Sequence, residues 1–150
     1  MNFLNKKTRF SSIFLSILTL VMLISMAACT KKIAFLTSTL TPAARGSVIV
    51  KKDKNMNYSI DVDITELAEV NRLTPPKQSY VVWMVSDKDM PKNIGKINSS
   101  MTGIGGISKS LKANFQTVSS TKPNKIFITA EDDAAIQYPS SQIILSTDNF

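Results

Sequence analysis

From Lys32 to the end of the chain, apolar and polar residues alternate with a period of two, the pattern of half-buried strands. The clearest stretch is Tyr58-Ser59-Ile60-Asp61-Val62-Asp63-Ile64. Tyr58, Ile60, Val62 and Ile64 fall on one side and Ser59, Asp61 and Asp63 on the other, which predicts a strand with one face in water. Gly46-Ser47-Val48-Ile49-Val50-Lys51 precedes it, and Asp53-Lys54-Asn55 supplies turn chemistry, so the pair forms a hairpin. Tyr80-Val81-Val82-Trp83-Met84-Val85 is apolar on both sides, as a central strand is. Leu111, Ala113 and Phe115 alternate with Lys112, Asn114 and Gln116, and segments 126–130 and 142–146 supply the last two strands. Shorter patterns place strands at 93–98 and 33–37 and a single helical turn within 65–71. Pro75, Pro76, Pro91, Pro123 and Pro139 all fall between these runs, where proline removes no ladder hydrogen bond. Seven or eight short strands at near-regular spacing predict an all-β fold, an antiparallel β-sandwich of immunoglobulin-like type over 46–150. Residues 29–45 then read as a tether with at most a first edge strand. Asp61 and Asp63, on the wet face, are of the kind that discourages edge-to-edge pairing.

The first 28 residues follow a different pattern. Lys6, Lys7 and Arg9 precede a mainly apolar run over 13–24, and small residues Ala27 and Ala28 come just before Cys29. That three-part order is the logic of an export signal. A spanning helix needs about 20 mostly apolar residues, and this run is shorter and contains Ser16 and Thr19. An uncleaved anchor is the alternative. Ser25-Met26-Ala27-Ala28-Cys29 resembles a lipobox, with Met26 where leucine is preferred. The resemblance implies cleavage before Cys29 and a lipid on its thiol, with attached chains contributing about 0.8 kcal/mol per buried methylene. Membrane lipid, through acylated Cys29, is thus the first expected partner. Thr30 in place of aspartate implies, by Gram-negative sorting rules, the outer membrane facing the periplasm. Lys31 and Lys32 add a small basic collar.

Composition narrows the chemistry. Three of the 18 basic residues lie in the leader, which leaves 15 against 11 acidic ones. A surplus of four scattered along the sequence is ordinary for a soluble surface, and no basic stripe interleaved with aromatics suggests nucleic acid. Histidine is absent and Cys29 is the single cysteine. The commonest general base and metal ligand, a disulfide and a free thiol nucleophile are therefore missing from the mature chain.

From Gly46 onward the order of features is similar to the extracytoplasmic C-terminal domain of anti-sigma-K factors. It runs from Gly46-Ser47-Val48 through the Tyr58 strand to Tyr80-Val81-Val82-Trp83-Met84-Val85. Gly95, the Phe115 strand, Ile128-Thr129-Ala130-Glu131, Pro139 and a terminal apolar strand follow. The resemblance implies a fold. The family's sigma-binding region and membrane helix have no counterpart here, so its activity does not transfer.

Several constellations could carry chemistry. Thr102-Gly103-Ile104-Gly105-Gly106-Ile107-Ser108-Lys109 lacks phosphate-loop spacing and reads as a connecting loop. Ser119-Ser120-Thr121-Lys122 matches Ser-x-x-Lys, but Pro123 follows and the partner motifs are missing. Asp87 and Asp89, with Glu131-Asp132-Asp133, could bind a hard cation only if their strand ends met. Trp83, Tyr80 and Tyr58 read as core before pocket, and Met84, Met90 and Met101 lack the other ligands of a copper site. The expectation is a non-catalytic, lipid-anchored binding, sensing or structural module without a cofactor, which meets an unidentified envelope protein. A diverged regulatory module related to anti-sigma factors is the alternative, and a carboxylate-based envelope enzyme the second.

Overall fold

The computed structural model describes residues 31–150 apart from 88, 89 and 103–109. Lys31–Phe150 is one compact unit. Its strands are β1 (Lys31–Ala34), β2 (Arg45–Lys52), β3 (Tyr58–Thr65), β4 (Ser79–Val85), β5 (Lys92–Thr102), β6 (Ser110–Ser119), β7 (Lys125–Glu131) and β8 (Ile143–Ser146). All pairings are antiparallel, in the order β1-β2-β3-β6-β5-β4-β7-β8.

β5 belongs to both sheets of the sandwich, pairing with β4 through its first half and with β6 through its second. β2-β3-β6-β5 then stand in the A-B-E-D order of an immunoglobulin-type sandwich and β5-β4-β7-β8 in the C′-C-F-G order, with β1 added outside β2. The expected fold class is thereby met. A bulge in β5 opposite Val82 and Trp83 re-aims the strand between sheets. Gly95 is required there: its φ is +140°, and a Cβ would stand 2.7 Å from the Phe115 ring.

The Tyr58 hairpin has the expected register, Val48 opposite Val62 and Val50 opposite Ile60. Its turn is held by the Asp53 carboxylate, whose Oδ1 accepts the amides of Asn55 and Asn57, both at 2.8 Å. Two expectations change. β3 lies inside its sheet between β2 and β6, so Asp61 and Asp63 guard no edge. Asp63 instead accepts a cross-strand hydrogen bond from Asn114 at 2.7 Å. The helical turn arrives late, as a 3-10 turn at Val70–Arg72. β3 runs on to Thr65 and leaves through Glu66 at φ 56°, which drops Leu67 into the core before the chain can coil.

The sandwich also begins earlier than the composition of 29–45 suggests, because β1 pairs with β2 from Lys31. The segment after β1 crosses to the opposite edge, where the Leu36 amide donates to the Ser146 carbonyl at 2.9 Å. That bond ties the segment after β1 to the end of β8.

Two hydrophobic clusters form, both from residues within 35–150. The larger fills the space between the sheets and includes Val48, Ile60, Val62, Ile64, Tyr80, Val82, Met84, Ile126, Ile128 and Leu145. The smaller lies on the outer face of β4 and β7, where Val81, Trp83 and Phe127 are roofed by Ala134 and Ile136 of the 132–142 connection. The sandwich thus has a complete core of its own.

The registers also sort the charges. β1, β3, β5 and β7 begin, and β2, β4, β6 and β8 finish, at the end where the chain enters. Among the described side chains this entry end carries Lys32, Lys51, Lys52, Lys54, Lys92, Lys122 and Lys125 against Asp53, Asp87 and Asp148. The remainder carries Arg45, Arg72, Lys77, Lys96 and Lys112 against seven carboxylates. A surplus scattered in sequence is gathered at one end in space.

Candidate functional site

At the far end, the 35–44 segment and the 66–78 crossover build an open cleft of about 390 Å³. Leu40, Pro42, Ala43, Ala68 and Leu73 give it apolar walls, and Glu66, Arg72, Thr74 and Gln142 add polar groups. Each wall is held by local bonds. The buried Ser38 hydroxyl accepts the Thr41 amide at 3.0 Å and the Thr41 hydroxyl at 3.1 Å, a side-chain turn that reverses the chain. The Ala44 amide closes that turn on the Thr41 carbonyl at 2.9 Å. The Arg45 guanidinium donates to the carbonyls of Pro42 and Ala44. Across the cleft, the Tyr80 hydroxyl donates to the Ala68 carbonyl at 2.9 Å and ties the crossover to β4. Burial pushes the Tyr80 phenol up to about 12. Arg72 and Glu69 form an ion pair at 2.9 Å beside the cleft.

Beside this cleft the surface carries exposed apolar side chains. Leu36, Leu40 and Ile143 are each about half exposed (49%, 48% and 48%). Leu36 bonds to β8 through its backbone, and Leu40 shares the cleft with Gln142, so residues 36–40 run alongside β8. Sequence reading missed this surface because Leu36 and Leu40 lie in the stretch read as a tether. Their one signal was a pair of leucines, Leu36 inside a short strand pattern and Leu40 among threonines and serine.

The acidic residues singled out from the sequence do not converge. Asp87, at the entry end, accepts a hydrogen bond from Asn124 at 3.0 Å. Glu131 closes β7 at the far end, buried, and accepts the Ser140 amide at 2.9 Å. The ladder between them runs from Val85 opposite Lys125 to Ser79 opposite Glu131, about 20 Å at the usual rise per residue. Asp132 pairs with Lys77 at 2.6 Å, and Asp133 accepts the Ala135 amide at 2.9 Å within a turn. Asp89 lies outside the described residues. Among those described, no three His, Cys, Asp or Glu side chains gather closely enough to hold a metal ion.

The remaining candidates resolve individually. Trp83 is fully buried, but on the outer face of its sheet, where its ring stacks on Phe127 at 6.2 Å and its Nε1 donates to the Thr129 hydroxyl at 2.7 Å. Tyr80 is core, and Tyr58 is half-buried beneath the Lys52 ammonium, 5.8 Å from its ring centre. Met84 is core and Met90 is 70% exposed, so these two sulfurs share no site. Ser119 Oγ bonds Thr121 in the tight β6–β7 turn, leaving Ser119-Ser120-Thr121-Lys122 as turn chemistry. The glycine cluster at 103–109 and Cys29 lie outside the described residues. No helix among the described residues is long and apolar enough to cross a membrane. No family model matches the chain, and no curated protein and no solved structure matches it significantly.

Proposed function

We propose that the mature protein is a lipid-anchored β-sandwich of the cell envelope, acylated at Cys29, that serves as a non-catalytic binding, sensing or structural module. The observation that carries this reading is the junction between leader and fold. An export-type signal ends on the chain's single cysteine, two residues ahead of the first strand of a self-contained sandwich. The far-end cleft, with Leu36, Leu40 and Ile143 beside it, is the surface at which an envelope protein would be met. By the sorting logic of Thr30, the anchoring membrane is the outer one and the domain faces the periplasm. An enzyme built on Asp87 and Glu131 would need both in one cleft, and the β4–β7 ladder holds them at opposite ends.

Anchoring is tested by growing cells with a palmitate analogue and comparing wild type with Cys29→Ala. Label on the wild type alone, with loss of signal cleavage in the variant, is the expected result. Unchanged processing and membrane retention in the variant would sink the lipoprotein reading. For the far-end surface, a photocrosslinking residue at Leu40 should capture an envelope protein that the same residue at Lys96 does not. Equal capture at both positions would remove the cleft from the proposal.

A further inference from the structure

A mature chain anchored at Cys29 would have almost no spacer before its fold. Lys31 is already paired with Val50, so two residue steps separate Cys29 from the sandwich. Fully extended, they reach about 7 Å, comparable to the roughly 5–7 Å headgroup layer on each side of the hydrocarbon core. An acylated Cys29 would therefore press the entry end against the headgroups.

That end has the chemistry of a membrane-facing surface. Its described side chains carry seven lysines against three aspartates, whereas the rest of the sandwich has a slight acidic excess. Lys32, Lys51, Lys52, Lys54, Lys92 and Lys122 are exposed. Both ion pairs among the described residues, Arg72–Glu69 and Lys77–Asp132, lie at the far end, so none of these lysines pairs with a described carboxylate. Two of the entry-end acids are occupied in local bonds: Asp53 holds its own turn, and Asp87 takes Asn124. Two loops at this end also expose apolar tips, Met56 at 64% in the β2–β3 turn and Met90 at 70% in the β4–β5 connection. Lysines around flexible, exposed methionines suit a bilayer interface, where ammonium groups meet phosphates and thioethers enter below them.

We propose that the entry end is a docking surface for an anionic lipid bilayer, and that it fixes the sandwich upright with the far-end cleft pointing away from the membrane. The proposal rests on the membrane attachment of Cys29 for its geometry, but the surface itself can be tested without the lipid. Residues 30–150 contain the whole core and both clusters, so this chain is sedimented with vesicles of phosphatidylcholine alone or mixed with phosphatidylglycerol.

Binding to the mixed vesicles at low salt, lost at high salt and absent with phosphatidylcholine alone, is expected. Each lysine removed from the entry end should weaken it about fivefold. The triple variant Lys51→Gln, Lys52→Gln, Lys54→Gln should thus lose about a hundredfold, while Lys96→Gln and Lys112→Gln together change little. Failure of the wild type to bind the mixed vesicles would overturn the proposal. So would an equal loss in the Lys96/Lys112 variant, or binding to a DNA duplex but not to vesicles. Palmitate labelling separates the two readings. Vesicle binding by an unlabelled protein leaves the docking surface standing and removes the anchor; labelled protein without vesicle binding does the reverse.

Discussion

Phe127 and Ile128 are neighbours on β7 that face opposite sides of one sheet, and both are buried. Ile128 points into the space between the sheets, where Val48, Ile60 and Val62 belong to the same cluster. Phe127 points outward with Val81 and Trp83, and the 132–142 strap covers it through Ala134 and Ile136. The inner cover is a hydrogen-bonded sheet that cannot move without unpairing strands. The outer cover is a loop pinned at a few places: Asn93 Nδ2 to the carbonyls of Ala134 and Ile136 at 2.9 and 3.0 Å, the Ser140 amide to Glu131, and Lys77 to Asp132. Two surfaces equally dry in the folded state therefore differ in how much structure must give way to wet them.

The largest effect expected from this difference is on truncation. Ile128→Ala should cost about 4 kcal/mol, because rigid walls cannot collapse onto the void. Phe127→Ala removes the larger side chain yet should cost about 3 kcal/mol, since the strap can settle into the gap. Urea unfolding of the two variants measures both, and a greater loss at Phe127 would mean that the strap is as stiff as a sheet.

A second, smaller effect separates the faces by pH. Tyr80 faces the inner cluster, and its folded pKa lies near 12 against an ordinary 10. A raised value in the folded state means that the stability tied to the neutral phenol is complete below pH 10. It is lost as pH climbs from 10 towards 12, by about 2 kcal/mol in all. Tyr80→Phe should flatten this alkaline slope while costing about 1 kcal/mol at neutral pH for the lost bond to Ala68. Trp83, the chain's single tryptophan, reports on the outer face. Its accessibility to acrylamide should stay low up to the pH at which the whole sandwich unfolds. Quenching that rises earlier, with the inner face intact, would break the assignment of the alkaline loss to Tyr80.

How much of this could be read from the chain depends on the range over which each feature is decided. Strand existence is local: the alternation of Tyr58 to Ile64 and the apolar run Tyr80 to Val85 follow from period and β-propensity, and β3 and β4 stand where those patterns lie. Apolar residues on both faces of the Tyr80 run required two covers but could not say that one would be a loop, because Ala134 and Ile136 lie fifty residues away in a stretch with no period. The edge strand expected within 29–45 is there as β1, but its place in the sandwich was not legible, for the same reason. Its short β1 pattern gains its meaning from Val48 and Val50 on β2 and from β8 more than a hundred residues on. Charge sorting was illegible as well, since Lys51, Lys92 and Lys122 come to the same end of the sandwich only through the strand order. The absence of histidine and the uniqueness of Cys29 needed no fold at all.

The smallest effects lie in the pins of the strap, and they test whether its closure is a matter of buried or exposed bonds. Asn93→Ala removes the donors to Ala134 and Ile136 and also the Oδ1 that accepts the Gly95 amide at 3.0 Å. It should lower global stability by about 1 kcal/mol and raise acrylamide quenching of Trp83 well before unfolding. Lys77→Met, by contrast, breaks a 2.6 Å contact whose Asp132 partner is 67% exposed. An exposed pair of this kind contributes about 0–1 kcal/mol, and the methionine keeps most of the apolar stem of a lysine that is itself 17% exposed. Its stability should be almost unchanged and its Trp83 quenching should match wild type. If Lys77→Met opened the strap as far as Asn93→Ala does, the outer face would be sealed by charge rather than by the amide beneath it. Its closure would then weaken with salt, which the inner face's would not.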